Sequence, residues 1–184
     1  MPKIIKDIED TIFEKAKELF CLKGYDKVDM KTLAEHCNIA VGTLYNYYPN
    51  KKRLYLDVVT FSWKSTFERL KEIKETKETK DYIRNIVEIL YDDICNRKGL
   101  GANIRRGSEY GDKDFIEVEK YIRKGIENAF LDLPKKSPFN SYKNLDKKIT
   151  VFLISMIGPL VIHCPEEREE NISIICESIN VYYK

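Results

Sequence analysis

The stretch MKTLAEHCNIAVGTLYNYY, residues 30–48, decides the fold, because it holds two short helical patterns with a break between them. Leu33, Ala34 and Cys37 recur at the three-to-four-residue spacing of a single buried helix face. Asp29, just ahead, has the short acceptor side chain that caps a helix N-terminus. The pattern stops at Asn38, and asparagine is the usual substitute for glycine where the chain must pass through positive φ. A second helix is expected from about Val41 to Tyr47, closed by Pro49, since proline disfavours helical geometry in the residue before it. Helices crossing this closely need a small side chain between them, which Ala34 supplies. Leu33, Cys37, Ile39 and Leu44 are spaced to lock the pair against a preceding helix. This is a helix-turn-helix pattern, with Tyr45, Tyr47 and Tyr48 at its end and Lys51, Lys52 and Arg53 just beyond.

Upstream, Ile4, Ile8, Ile12, Ala16, Leu19 and Phe20 form the apolar stripe of a first helix that stops near Gly24. Downstream, a long helix begins near Lys51, with Leu54, Val58, Phe61 and Ser65 on one face, and becomes a charged, solvated end by residues 68–80. Tyr82, Ile86, Ile89, Leu90 and Ile94 mark a fifth helix. The glycine-rich segment 99–114 reads as a loop with one short helix, and Phe115 to Phe130 as another amphipathic helix. After a linker at 133–144, Leu145 to His163 is strongly apolar, and a last helix runs from about 166 to 183, opened by Pro165, Glu166 and Glu167. No segment carries a competing strand signal. The fold class is all-α, with about nine helices.

Composition narrows the function. Charge is nearly balanced, 32 basic against 30 acidic residues, so any nucleic-acid contact must come from a local patch. The five cysteines are odd in number and scattered, without a CxxC pair, which argues against a disulfide framework and a structural zinc. Two histidines, His36 and His163, without a nucleophile–base pair or phosphate loop, give no support to an enzyme; no cofactor or metal is expected. No charge-free apolar run approaches the roughly 20 residues of a membrane span, and the first ten residues are charged where a signal peptide is apolar. A cytoplasmic protein without a membrane partner is expected.

The longer string AKELFCLKGYDKVDMKTLAEHCNIAVGTLYNYYPNKKRLYLDVV, residues 16–59, resembles the DNA-binding region of the TetR family of bacterial transcriptional regulators. The matching elements are Ala16, Leu19-Phe20, Lys23-Gly24-Tyr25, Met30, Leu33-Ala34, Gly42-Thr43-Leu44-Tyr45, Tyr47-Tyr48, Asn50-Lys51 and Leu54. The resemblance implies a DNA-binding domain over residues 1–50 and a larger helical ligand-sensing and dimerisation domain over 51–184. It places DNA contacts at Lys31, Val41, Gly42, Thr43, Tyr45, Tyr47 and Lys51, while helical spacing puts Leu44 and Tyr48 in the core. It also implies a homodimer through the last two helices, a twofold-symmetric double-stranded DNA operator, and an unknown small-molecule effector that releases a repressor. The ligand pocket is expected among helices carrying Trp63, Phe67, Tyr82, Ile86, Phe115 and Met156. Two departures stand out. Ala40 replaces a serine common in the family, removing a cap, and Val41 replaces a frequent polar or basic residue. The competing reading is a helical protein-interaction module that uses the same motif for protein contacts.

Overall fold

The computed structural model describes residues 2–73 and 78–184, with side chains from Ile8 onward. Among these there are nine α-helices: α1 (Pro2–Lys23), α2 (Met30–His36), α3 (Val41–Tyr47), α4 (Lys51–Lys71), α5 (Thr79–Asn96), α6 (Ala102–Glu109), α7 (Lys113–Asn128), α8 (Leu145–His163) and α9 (Arg168–Asn180). A single 3-10 turn and one isolated antiparallel bridge, Lys135 to Tyr183, complete the regular structure described. The chain is all-α, as its apolar spacing requires. The Ile4 side chain and residues 74–77 of the charged run lie outside the described residues.

The helices form two compact units, one of residues 1–62 and 97–119, the other of 63–96 and 120–184. In the first, α1 buries Ile12, Ala16, Leu19 and Phe20, α2 buries Leu33 and Ala34, and α3 buries Leu44. The start of α4 buries Leu54, Tyr55, Leu56, Val58 and Val59, which lie all round the helix rather than on one stripe. This is why the expected face through Phe61 and Ser65 does not hold. Phe61 is 55% exposed, with its ring edge-on to Phe13 at 4.8 Å, and Ser65 is exposed. A helix buried on more than one side carries no single apolar stripe to read.

Tyr55 is the hub of this unit. Its ring lies 4.7 Å from Tyr25, 5.2 Å from Phe20 and 6.2 Å from Phe115, and its hydroxyl donates to the Leu100 carbonyl. Burial pushes the phenol far above its ordinary pKa, so the hydroxyl stays a donor. Phe115 in turn packs onto the backbone of α6. A Cβ on Gly107 would fall 2.4 Å from the ring.

In the second unit α5, α8 and α9 interlock through Ile83, Ile86, Val87 and Leu90, through Ile149, Leu153 and Ile157, and through Ile172, Ile175 and Ile179. Arg168 opens α9 by gripping both carboxylate oxygens of Asp92 at 2.7 Å. The buried Asn171 amide is shared between the Tyr91 hydroxyl and the Cys164 carbonyl. The last helix stops at Asn180, short of the expected 183, because the tail has better partners: Lys136 N–H bonds the Tyr182 carbonyl, Lys184 N–H the Pro134 carbonyl, and the Tyr183 hydroxyl Asp146. No helix among the described residues is long and apolar enough to cross a membrane.

Two substitutions test the Tyr55 hub. Tyr55→Phe strands the buried Leu100 carbonyl and is expected to cost about 1–2 kcal/mol in urea denaturation. Gly107→Ala improves helix propensity, yet it is expected to destabilise by about 1–3 kcal/mol because the Phe115 ring must move. A stabilised Gly107→Ala protein would show that α6 does not carry that ring.

Candidate nucleic-acid interface

The geometry of the helix-turn-helix is set at three positions. Asp29 accepts the Thr32 N–H at 2.8 Å, the cap expected for α2, and this amide holds its carboxyl below the usual carboxylate range. At the other end Asn38 stands at φ +53°, as its place in the break requires. The Asn38 N–H reaches the Glu35 carbonyl and the Ile39 N–H reaches the Ala34 carbonyl, both at 3.1 Å. This paired bond pattern closes a helix through one left-handed residue and reverses the chain at once. Ala40 then adopts the extended geometry of an N-cap (φ −66°, ψ 144°) but offers no side-chain acceptor to α3.

Leu44 and Tyr48 anchor α3, both buried, and burial raises the Tyr48 phenol. The opposite face is bare. Val41 is 43% exposed and Tyr45 49%, Gly42 and Asn46 are exposed, and Thr43 and Tyr47 are half-buried beside them. Gly42 has open space where a side chain would project, so a ligand's backbone can come close. Lys31 projects freely from α2, with Glu35 no nearer than 4.0 Å. Asn46 escaped the sequence reading, although it lies four residues beyond Gly42, on the same helix face.

The basic run after Pro49 is less free than its sequence suggests. Lys51 donates to the Tyr25 carbonyl at 2.9 Å and sits 4.2 Å above that ring. Lys52 is held by Asp114 at 2.6 Å and Asp112 at 2.9 Å, which raise its pKa, and Arg53 pairs with Asp57 at 2.9 Å. Asn50 caps α4 by accepting the Arg53 N–H at 2.8 Å. Lys51 thus ties the first turn of α4 to the α1–α2 loop, and Lys52 ties it to the start of α7.

Of the residues expected to line a ligand pocket, Phe67 and Tyr82 lie on a cleft of about 480 Å³ in the second unit. Trp63 stands behind Phe67, ring centroids 5.7 Å apart, and Ile86 is fully buried core. Met156 is half-buried on α8 and does not line the cleft, and Phe115 belongs to the first unit, against Tyr25 and Tyr55. The cleft also takes in Tyr121 and Gly125, which the sequence reading missed. Among the described residues no group of three or more His, Cys, Asp or Glu side chains could hold a metal ion.

A short helix with one anchored and one bare face, reversed from a capped partner through a single left-handed residue, is a helix-turn-helix head of the kind that enters a DNA groove. Comparison with known proteins shows what this head is similar to. Residues 12–58 match the family model of bacterial regulatory proteins, tetR family. The uncharacterized HTH-type transcriptional regulator YuxN of Bacillus subtilis (strain 168) is 27% identical over 165 residues, covering 87% of this chain and 55% of that protein. The chain therefore spans about half the length of this relative. A putative TetR-family transcriptional regulator from Rhodococcus sp. superposes with a TM-score of 0.74 at 12% identity, over 97% of this chain and 100% of that one. The fatty acid degradation regulator FadR from Bacillus halodurans gives 0.69 at 13%, over 92% and 94%. At these identities the structural likeness is one of fold. Residues 12–58 thus match the tetR-family DNA-binding region, and the described chain shares its fold with solved TetR-family regulators.

Ala40→Ser supplies the acceptor that α3 lacks and is expected to raise stability by about 1 kcal/mol. Unchanged or lower stability in urea denaturation would show that the α3 amides are already satisfied.

Proposed function

We propose that the chain is a cytoplasmic, homodimeric DNA-binding transcriptional regulator, a repressor that a small molecule releases from a twofold-symmetric operator. The observation that carries this reading is the bare face of α3 opposite its Leu44 and Tyr48 anchors. Residues 1–50 act as the DNA-binding domain and 51–184 as the sensing and dimerisation domain. On that face the hydroxyls of Thr43, Tyr45 and Tyr47 suit phosphate oxygens, Gly42 admits the DNA backbone, and Val41 suits a thymine methyl. Asn46 adds an amide able to bond adenine with two hydrogen bonds. Lys31 supplies an exposed cation, 4.0 Å from Glu35. Lys51, bound to Tyr25, acts by holding the first turn of α4 where its amides face a phosphate.

Dimerisation is supported by α8 and α9. Val151, Phe152 and Ile162 of α8, Ile174 of α9 and Val181 just after it are large apolar side chains left exposed, Ile162 by 73%. Such a face is covered when the two helices pair with those of a second copy as a four-helix bundle. Two heads so joined read half-sites about 34–36 Å apart, or at a related spacing. An effector that favours a conformer with the heads off this spacing lowers operator affinity by shifting the population.

Selection from a random DNA pool is expected to enrich a palindrome. Lys31→Ala should weaken binding to all sequences and reduce the salt slope by about one, whereas Asn46→Ala should cost about 1–3 kcal/mol and relax preference at one base position per half-site. No enriched palindrome and an unchanged slope would favour the protein-interaction module. Ile162→Glu is expected to give monomers in sedimentation and to abolish binding to the full operator. A dimer that survives this substitution would remove α8 from the interface.

A further inference from the structure

The cleft in the second unit has a chemistry of its own. One wall is a single stripe of α4, on which Lys64, Phe67, Glu68 and Lys71 recur at spacings of three, four and seven residues. Facing it, α7 contributes Tyr121, Lys124 and Gly125, and α5 contributes Tyr82. Phe67 forms the floor. Its ring lies directly on the α7 backbone, so that a Cβ on Gly125 would fall 2.2 Å from it, and the edge of Tyr121 meets it at 5.4 Å. The floor is therefore aromatic and rests on a helix notched by a glycine.

The rim is cationic. Lys64, Lys71 and Lys124 stand against one acidic lining residue, Glu68. Lys124 is already drawn to Glu127 at 3.3 Å, while Lys64 and Lys71 have no side-chain partner among the described residues. Seven residues along a helix is about 10.5 Å, so these two lysines leave the stripe on either side of Phe67. A cationic ligand stacked on the rings would meet Lys64 and Lys71 against the single carboxylate of Glu68, with Lys124 paired to Glu127, a net like charge that disfavours it. A carboxylate at the rim gains charge-assisted hydrogen bonds from flexible lysines while its apolar body lies on the rings. The volume, about 480 Å³, is that of a small-molecule site.

We propose that this cleft takes an amphipathic organic anion, an apolar chain or ring ending in a carboxylate, as the effector of the regulator. This rests on the ligand-responsive reading above and names the chemical class it responds to. Lys64 and Lys71 hold the head group, and Phe67, Tyr82 and Tyr121 hold the body.

The sequence provides its own reporter, because Trp63 is the one tryptophan and its ring packs on Phe67. Trp63 fluorescence of the full-length protein is titrated with decanoate, with decyltrimethylammonium as the matched cation, and with 4-phenylbutyrate. Decanoate or 4-phenylbutyrate is expected to saturate the signal at a concentration at least tenfold below that of the cation, and the stronger of the two says whether chain or ring is preferred. Lys64→Gln with Lys71→Gln, both on exposed side chains, should remove that preference, and the paired arginine substitutions should restore it. Equal or tighter binding of the cation overturns the proposal, as does an anion affinity unchanged in the glutamine double variant. Thermal unfolding of that variant shows that the fold is kept. Operator binding is measured in parallel. Anion binding without loss of operator affinity overturns the effector role and leaves the site in place. Release by other compounds, with no anion preference at Trp63, overturns the class and leaves a ligand-responsive regulator.

Discussion

One left-handed residue sets the geometry on which the helix-turn-helix depends. Asn38 at φ +53° lets the last carbonyls of α2 be satisfied by the chain that is already turning away. Because both Ala34 and Glu35 are bonded across the turn, α3 leaves at a fixed angle. Leu44 and Tyr48 therefore fall into the core and Val41, Gly42, Tyr45 and Asn46 fall outside. A bulky or β-branched residue at position 38 bears a steric cost there, and any rotation of α3 would expose its anchors and bury its bare face.

The second constraint is the way α4 begins. Its capping residue Asn50, the Lys51–Tyr25 bond and the Lys52 clamp by Asp112 and Asp114 use the basic run for internal order. Cations that look available in a sequence are in this way drawn into the head itself. The run 51–53 is thereby spent largely on internal contacts, in a chain whose net charge is only +2. The same helix continues to Lys64, Phe67 and Lys71 on the cleft, so its two ends carry unlike chemistry: a capped, tethered start and an amphipathic end.

Much of the head was legible from spacing and turn chemistry. The Asp29 cap, the left-handed Asn38, the small Ala34 at the crossing, the burial of Tyr48 and the missing cap at Ala40 each follow from a local rule that the structure obeys. Asn46 was legible too, by its four-residue step from Gly42. The body was less so. Phe61 and Ser65 misled because α4 is buried on several sides near its start, and the C-terminal tail left the helical pattern because residues 134–136 offered it backbone partners. The pocket residues divided for the same reason: Phe67 and Tyr82 reach a cleft, whereas Ile86 and Phe115 fill cores.

By itself the sequence determined an all-helical chain, the position of the helix-turn-helix and the identity of its anchors, since helix periodicity, caps and left-handed turns are written in neighbouring residues. Only the tertiary structure decided which lysines are tied down, which aromatic rings form a floor and where a cleft opens. Those outcomes depend on which helices meet, on a glycine under Phe67 that no periodicity announces, and on carboxylates sixty residues away from the lysine they hold.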